Sequence, residues 1–253
     1  MKITFLGTGT SDGVPVIGCN CEVCSSRDKR DNRTRTSIVI NHNKKNYIVD
    51  TSLDFRYQLL REKIKNIECV FYTHHHADHT SGIVDLRALN FIMRKSINCY
   101  GNKPTMEILA DKYDYFFNPV QRGGGLPQLN FHIVSEPFEV DGIKVSPIPV
   151  KHGILNIVGY RFNDFSYVTD ASYISEKSLN IIKGSKVLVL NGLRYREHAT
   201  HLSLRQAVNI ADSLKIKKVY FTHITHDVLH RRLLKELPKN MKPAYDGLSF
   251  SIY

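Results

Sequence analysis

The sequence predicts an α/β protein of the α+β kind, with strands dominant and helices interleaved among them. Three observations support this. Apolar runs of strand length recur along all 253 residues, stretches with helical spacing of apolar positions fall between many of them, and no repeat, heptad or low-complexity tract competes.

Residues 3–6 form the first strand-like run and lead into Gly7-Thr8-Gly9-Thr10-Ser11-Asp12-Gly13-Val14-Pro15, a tight strand-to-loop turn. Runs at 37–41 and 47–50 flank Asn43-Lys44-Lys45-Asn46, which reads as a solvated hairpin tip. A helix at 54–63 follows, then a strand at 69–73, a helix at 85–94, a strand at 97–100 and a helix at 105–113. Cys69 and Cys99 lie inside these apolar runs and are expected as buried small hydrophobes. Gly123-Gly124-Gly125 predicts a flexible loop, either bordering substrate or simply connecting. Further strands are expected at 131–134, 143–147, 159–162, 166–169, 187–190 and 218–222. Helices are expected at 175–183, at 203–214 with Ser203 as N-cap, and at 227–237.

The length suits one domain spanning 1–253. A hydrophobic fraction of 42% with 23% charged residues is that of a soluble globular protein, and no apolar run approaches the roughly 18 residues of a membrane span. Met1-Lys2 runs straight into the first strand without a secretory leader, so a cytoplasmic location is expected. The formal charge of +11 favours phosphate-bearing substrates or nucleic acid at long range, although lysines scattered over a solvated surface would give the same figure. Three of the five cysteines crowd into Cys19-Asn20-Cys21-Glu22-Val23-Cys24, a spacing that reads as metal binding before disulfide formation.

The strongest chemical signal is His74-His75-His76-Ala77-Asp78-His79, directly after the strand that ends at Tyr72-Thr73. Imidazole and carboxylate donors at this density suit zinc, manganese or iron, and a metal with an open position makes hydrolysis the natural use. The pattern His74-x-His76-x-Asp78-His79 resembles that of the metallo-β-lactamase-fold hydrolases. The resemblance implies an αββα sandwich with two divalent ions, zinc or manganese, at one edge of the sheets. It implies His74, His76 and His152 for the first ion, Asp78, His79 and His223 for the second, and Asp170 bridging both. His152 and Asp170 each follow a strand-like run, and His223 ends Val219-Tyr220-Phe221-Thr222-His223.

His198-Ala199-Thr200-His201-Leu202-Ser203 resembles the stretch where phosphodiesterases of this fold carry a histidine outside the metal ligands. Register against Gln206-Ala207 favours His201 over His198 for contact with developing charge or for protonating the leaving oxygen. His201 and Asp78 are therefore the residues assigned catalytic roles. His75 is expected to point away from the metals or support them, and His42, His132 and His230 are read as surface or packing residues.

The turn at Gly7 to Gly13 lacks the Lys-Ser/Thr ending and following helix of a P-loop. Together with Cys19-x-Cys21-x-x-Cys24 it resembles the phosphoribosyl cyclic phosphodiesterases of bacterial phosphonate breakdown, a subgroup with an extra structural zinc. That resemblance supplies His226 as the fourth zinc ligand and implies attack of a metal-bridging hydroxide on a small cyclic phosphodiester. Arg33-Thr34-Arg35-Thr36-Ser37 either brings a guanidinium to substrate phosphate or sits at the surface. A lactonase, thioesterase or ribonuclease Z-like nuclease on the same metals is the alternative, and nucleic acid is disfavoured because no long basic, glycine-rich arm is present. A non-catalytic metal-binding or biosynthesis-accessory protein is the alternative of another class, against which the full ligand set argues. No membrane partner is expected, and a homodimer is compatible with this reading.

Overall fold

The computed structural model describes residues 1–120 and 125–253, so Gly123 and Gly124 of the expected loop lie outside the described residues. The chain opens with β1 (Lys2–Gly7), β2 (Ser37–His42) and β3 (Lys45–Val49). The β2–β3 hairpin turns on Asn43 and Lys44, both left-handed (φ 50° and 64°), as a two-residue turn of matching twist requires. Next come α1 (Phe55–Arg61), β4 (Cys69–Phe71), α2 (Ala77–Thr80), α3 (Leu86–Met93), β5 (Ile97–Gly101), α4 (Lys103–Lys112) and β6 (Leu129–Ile133).

The second half runs β7 (Phe138–Val140), β8 (Ile143–His152), β9 (Leu155–Phe162), β10 (Phe165–Val168), α5 (Glu176–Ile182), β11 (Val187–Asn191), α6 (Leu204–Ser213), β12 (Lys218–Thr222), α7 (His230–Glu236) and β13 (Met241–Pro243). The last strand, β14 (Ser249–Ser251), crosses back to pair with β1. Ser203 caps α6 and exchanges hydrogen bonds with Gln206, forming the reciprocal capping box.

The strands of the described residues form two seven-stranded sheets, ordered β14-β1-β2-β3-β4-β5-β6 and β13-β12-β11-β10-β9-β8-β7. Each sheet is antiparallel through its early strands and turns parallel, at β3–β4 in one and β10–β11 in the other. Alternation along each strand explains the layers, since successive side chains face opposite sides. Ile3, Phe5, Ile38, Ile40 and Phe71 point inward and meet Tyr160, Phe162, Phe165 and Tyr220 from the other sheet. The outward set of the first sheet, Val39, Ile48 and Val70, is covered by Phe55 of α1, Leu89 of α3 and Leu109 of α4. Leu188, Leu190 and Val219 of the second sheet are covered by Ile182, Ala207 and Leu233 of the later helices. Each such side chain contributes about 1.5–3 kcal/mol on burial. The result is an αββα sandwich, and Cys69 and Cys99 are buried within it.

Strand lengths differ from the sequence reading in β8 and β9, which reach Ile143–His152 and Leu155–Phe162. Pro147 and Pro149 interrupt the apolar pattern of β8. The strand tolerates them because β7 pairs only with residues 143–145, leaving the rest as an edge that needs no second set of donors. The three-residue strands β7, β13 and β14 were not anticipated. Among the described residues no helix is long and apolar enough to cross a membrane.

Candidate metal centre

Parallel strands in a sheet present their carboxyl-terminal ends at one edge, and there the functional side chains gather. His74 follows β4, His152 ends β8, Asp170 lies two residues beyond β10, and His223 follows β12. α2 is a single turn that carries Asp78 and His79 back over the same edge. Asp170 and His223 adopt left-handed backbone (φ 59° and 56°), which turns each side chain out of its strand line. Such strain, about 1–3 kcal/mol per residue, persists where the surrounding frame fixes it.

The structure brings these residues into abutting donor groups. His74, His76 and His152 have donor atoms within 4.8 Å of one another, and Asp78, His79 and His223 form a second group on the same criterion. Asp170 stands between them: one oxygen lies 2.9 Å from His223 Nε2 and 3.1 Å from His201 Nε2, the other 3.3 Å from His79 Nε2. His201, not His198, reaches the centre. His198 is exposed and touches the outer side of His201, with their Nδ1 atoms 3.3 Å apart. His75 is half-buried, packs edge-on against His76 and joins no donor group, and His230 is buried.

Hydrogen bonds fix which ring nitrogen faces the centre. His152 Nδ1–H donates to the Thr200 carbonyl at 2.7 Å, leaving Nε2 free. The Asp50 carboxylate accepts from His79 Nδ1 at 2.7 Å and from the Thr73 hydroxyl at 2.8 Å. That hydroxyl in turn accepts from His74 Nδ1 at 3.0 Å. One buried carboxylate thus sets the tautomer of a histidine in each donor group, directly for His79 and through Thr73 for His74. Asp50 has left-handed backbone (φ 63°) just after β3, as Asp170 does after β10. The Nε2 atom of His74 is buried without a hydrogen-bond partner, and those of His79 and His223 face carboxylate oxygens of Asp78 and Asp170 without the alignment of a hydrogen bond, which is what a divalent ion between them would satisfy. The residues fit such ions.

Asp50 and Ser11 escaped the sequence reading. Ser11 Oγ donates to Asp78 Oδ2 at 2.8 Å, bringing the N-terminal turn against the centre. That turn is pressed on the 33–35 segment: a Cβ at Gly9 would lie 2.8 Å from the Arg33 carbonyl oxygen. Arg33 corrects the expectation of a phosphate-contacting or surface guanidinium, because it is buried and donates to the Ala244 carbonyl at 2.7 Å and to Thr8 Oγ1 at 3.1 Å. Arg35 is spent on Asp54 at 3.1 Å and the Ser11 carbonyl at 3.0 Å. A separate group unites Cys19, Cys21, Cys24 and His226, whose Nδ1 lies 3.3, 3.5 and 3.6 Å from the three sulfurs in that order. The Cys24 backbone N–H lowers the Cys21 thiol to about 6, whereas burial pushes the Cys24 thiol up to about 11, so Cys21 is the readier of the two to become the thiolate that metals bind.

Burial pushes His74 well below its ordinary value, and the charge on His79 adds to this. Burial also opposes charge on His79 and His223, but carboxylates overcome it. Asp170 and Asp78 hold His79 well above its ordinary value, and Asp170 raises His223 to about 9. Asp170 itself is held well below the carboxylate range, since His223 and His79 outweigh burial. A folded pKa above the unfolded value of about 6.5 stabilises below that pH, and the contribution is lost as pH rises through the folded pKa. Chelator-treated protein should therefore lose melting temperature between about pH 6.5 and 9. Metal-loaded protein should not, because ions replace those protons. A melting temperature of the metal-free protein that stays level across that window would contradict this.

An αββα frame carrying two abutting donor groups of histidine and aspartate at its strand ends is an arrangement suited to a pair of divalent ions. Residues 45–224 match the model of the beta-lactamase superfamily domain, and the chain belongs to that family. It is similar to a structure described as a new diphosphatase from the PhnP family, with 41% identity, a TM-score of 0.93, and 100% of this chain and 98% of that one covered. Zn(2+)-bound PqqB from Methylobacterium extorquens shares the fold at 18% identity and a TM-score of 0.81, covering all of both chains. A Porphyromonas gingivalis protein named octanoyltransferase is 35% identical over 98% of this chain and 51% of its own length. The chain thus spans about half the length of that curated relative.

Proposed function

We propose that the protein is a phosphodiesterase acting on a small phosphodiester, a cyclic one foremost, with His74, His76 and His152 holding one divalent ion and Asp78, His79 and His223 the other, bridged by Asp170. The observation carrying this reading is His201, held 3.1 Å from Asp170 Oδ1 at the junction of the two groups. When bound, the ions supply charge for phosphoryl oxygens and lower the pKa of water. The chain's residues supply the rest. Burial lowers His201 to about 4, so it is neutral at pH 7. Its Nε2 faces the Asp170 carboxylate, which can only accept, so the proton sits on Nε2 at the centre and Nδ1 accepts from the Thr200 hydroxyl at 2.9 Å. An Nε2–H there donates to charge developing on phosphorus-bound oxygen. The 41% identity to a protein described as a diphosphatase supports phosphorus as the atom attacked and brings diphosphates into the substrate panel.

The test sets cyclic and linear phosphodiesters and diphosphate diesters beside a lactone and an octanoyl thioester. Phosphorus substrates should be turned over and acyl substrates should not, with activity lost on chelation and restored by zinc or manganese. Replacing His201 by alanine should lower kcat by about 10²–10⁴. Preferential turnover of the thioester or lactone, or activity that survives metal removal, would reject the reading.

Within the same proposal Cys19, Cys21, Cys24 and His226 hold a structural zinc with all four positions filled. Cys21→Ser should remove one metal per chain and lower the melting temperature by at least about 5 °C. An unchanged metal count would exclude the site.

A further inference from the structure

Two hollows in the described surface are walled by lysines, and they differ in what answers the charge. At one, Lys45 pairs with Asp141 at 2.7 Å and Lys95 with Glu68 at 2.9 Å. The other lies at the starting ends of β11, β12 and β13 and is lined by Lys186, Lys217, Lys218, Lys239 and Lys242. Among the described residues only Lys186 has a side-chain carboxylate beside it, Asp164 at 3.1 Å, and its ammonium also donates to the Tyr253 backbone oxygen at 2.6 Å. Among the described residues the other four lysines have no carboxylate at ion-pairing distance. Like charges around a concave, low-dielectric wall reinforce one another, whereas the same charges spread over a convex surface are screened.

Lys218 is also positioned, its ammonium lying 5.1 Å from the Phe250 ring centroid and 5.5 Å from that of Tyr220. The hollow measures about 520 Å³, enough for a small ligand. Among the described residues lining it none is aromatic, which favours phosphate over nucleobase recognition. Lysines act as point charges on flexible stems and suit several phosphates without demanding one geometry. We propose that this hollow is a binding site for a compact oligophosphate. It is separate from the metal centre: β12 runs from Lys218 to Thr222, roughly 16 Å, before His223 begins the other edge.

The test is residue-resolved acetylation of the metal-loaded full chain, with and without inorganic tripolyphosphate supplied as its magnesium complex so that the enzyme's own metals stay in place. Lys217, Lys218, Lys239 and Lys242 should react about fivefold or more slowly at saturation, with Lys44 and Lys177 unchanged. The triple variant Lys217→Gln, Lys239→Gln, Lys242→Gln should lose the protection of Lys218 and keep wild-type turnover of a chromogenic phosphodiester. Uniform protection of all lysines, or protection of Lys218 that survives in the triple variant, would overturn the proposal. Protection by a single-stranded oligonucleotide but not by tripolyphosphate would overturn the oligophosphate assignment in favour of nucleic acid.

Discussion

Asp170→Asn should lower kcat/KM on the best phosphodiester by about 10³ or more, equivalent to about 4 kcal/mol of transition-state stabilisation. The side chain keeps its shape but loses the charge that both donor groups share. One oxygen now meets His223 and His201, the other His79. An amide must turn its NH₂ toward one of these sides, where it can neither accept a proton nor coordinate an ion. Metal content should fall below two ions at the active centre, while circular dichroism stays that of the wild type. Full metal content with retained turnover would refute the bridging role.

Asp50→Asn should act on metal affinity and on stability, although Asp50 touches no substrate. The carboxylate is fully buried and accepts from Thr73 N–H and Thr73 Oγ1, both at 2.8 Å, and from His79 Nδ1 at 2.7 Å. An amide nitrogen opposite His79 would donate to Nδ1 and drive the ring proton to Nε2, the atom that faces the centre. Affinity for the ions should drop 10- to 100-fold, as for other losses of a partner behind a ligand histidine. A buried donor left unsatisfied costs about 1–3 kcal/mol, so the melting temperature should fall by roughly 3–10 °C. Equilibrium dialysis against a metal indicator and a thermal scan measure the two effects. A stability loss with unchanged metal affinity would leave Asp50 a packing residue only.

The contrast between Asp170 and Asp50 shows what could be read from the chain. His74, His76, Asp78 and His79 lie within six positions, so their pattern is local and specific, and resemblance led onward to His152, Asp170 and His223. Asp50 ends a strand as many turn aspartates do, and its partners lie 23 and 29 positions away, so nothing local marks it. Ser11 escaped for the same reason, its partner Asp78 being 67 positions on. Arg33 was misjudged because a guanidinium is ordinarily outside, and only the fold reveals the carbonyl of Ala244 waiting 211 positions downstream. The two-layer arrangement followed from the family resemblance, since the apolar runs mark strands without saying how the sheets stack. The three-residue strands at the sheet margins could not be foreseen, because runs that short carry no period.

The Cys19–His226 contact spans 207 positions of sequence. In polymer terms, a zinc ion there ties off a loop containing most of the chain. Loop-closure entropy grows only slowly with length, so so long a loop is not forbidding, but its ends meet only once the strands between them have found their places. The joint would then be among the last to form, and zinc supply would act as a checkpoint on completed folding. A chain stalled midway would hold its cysteines as free thiols open to oxidation, and a finished one would not.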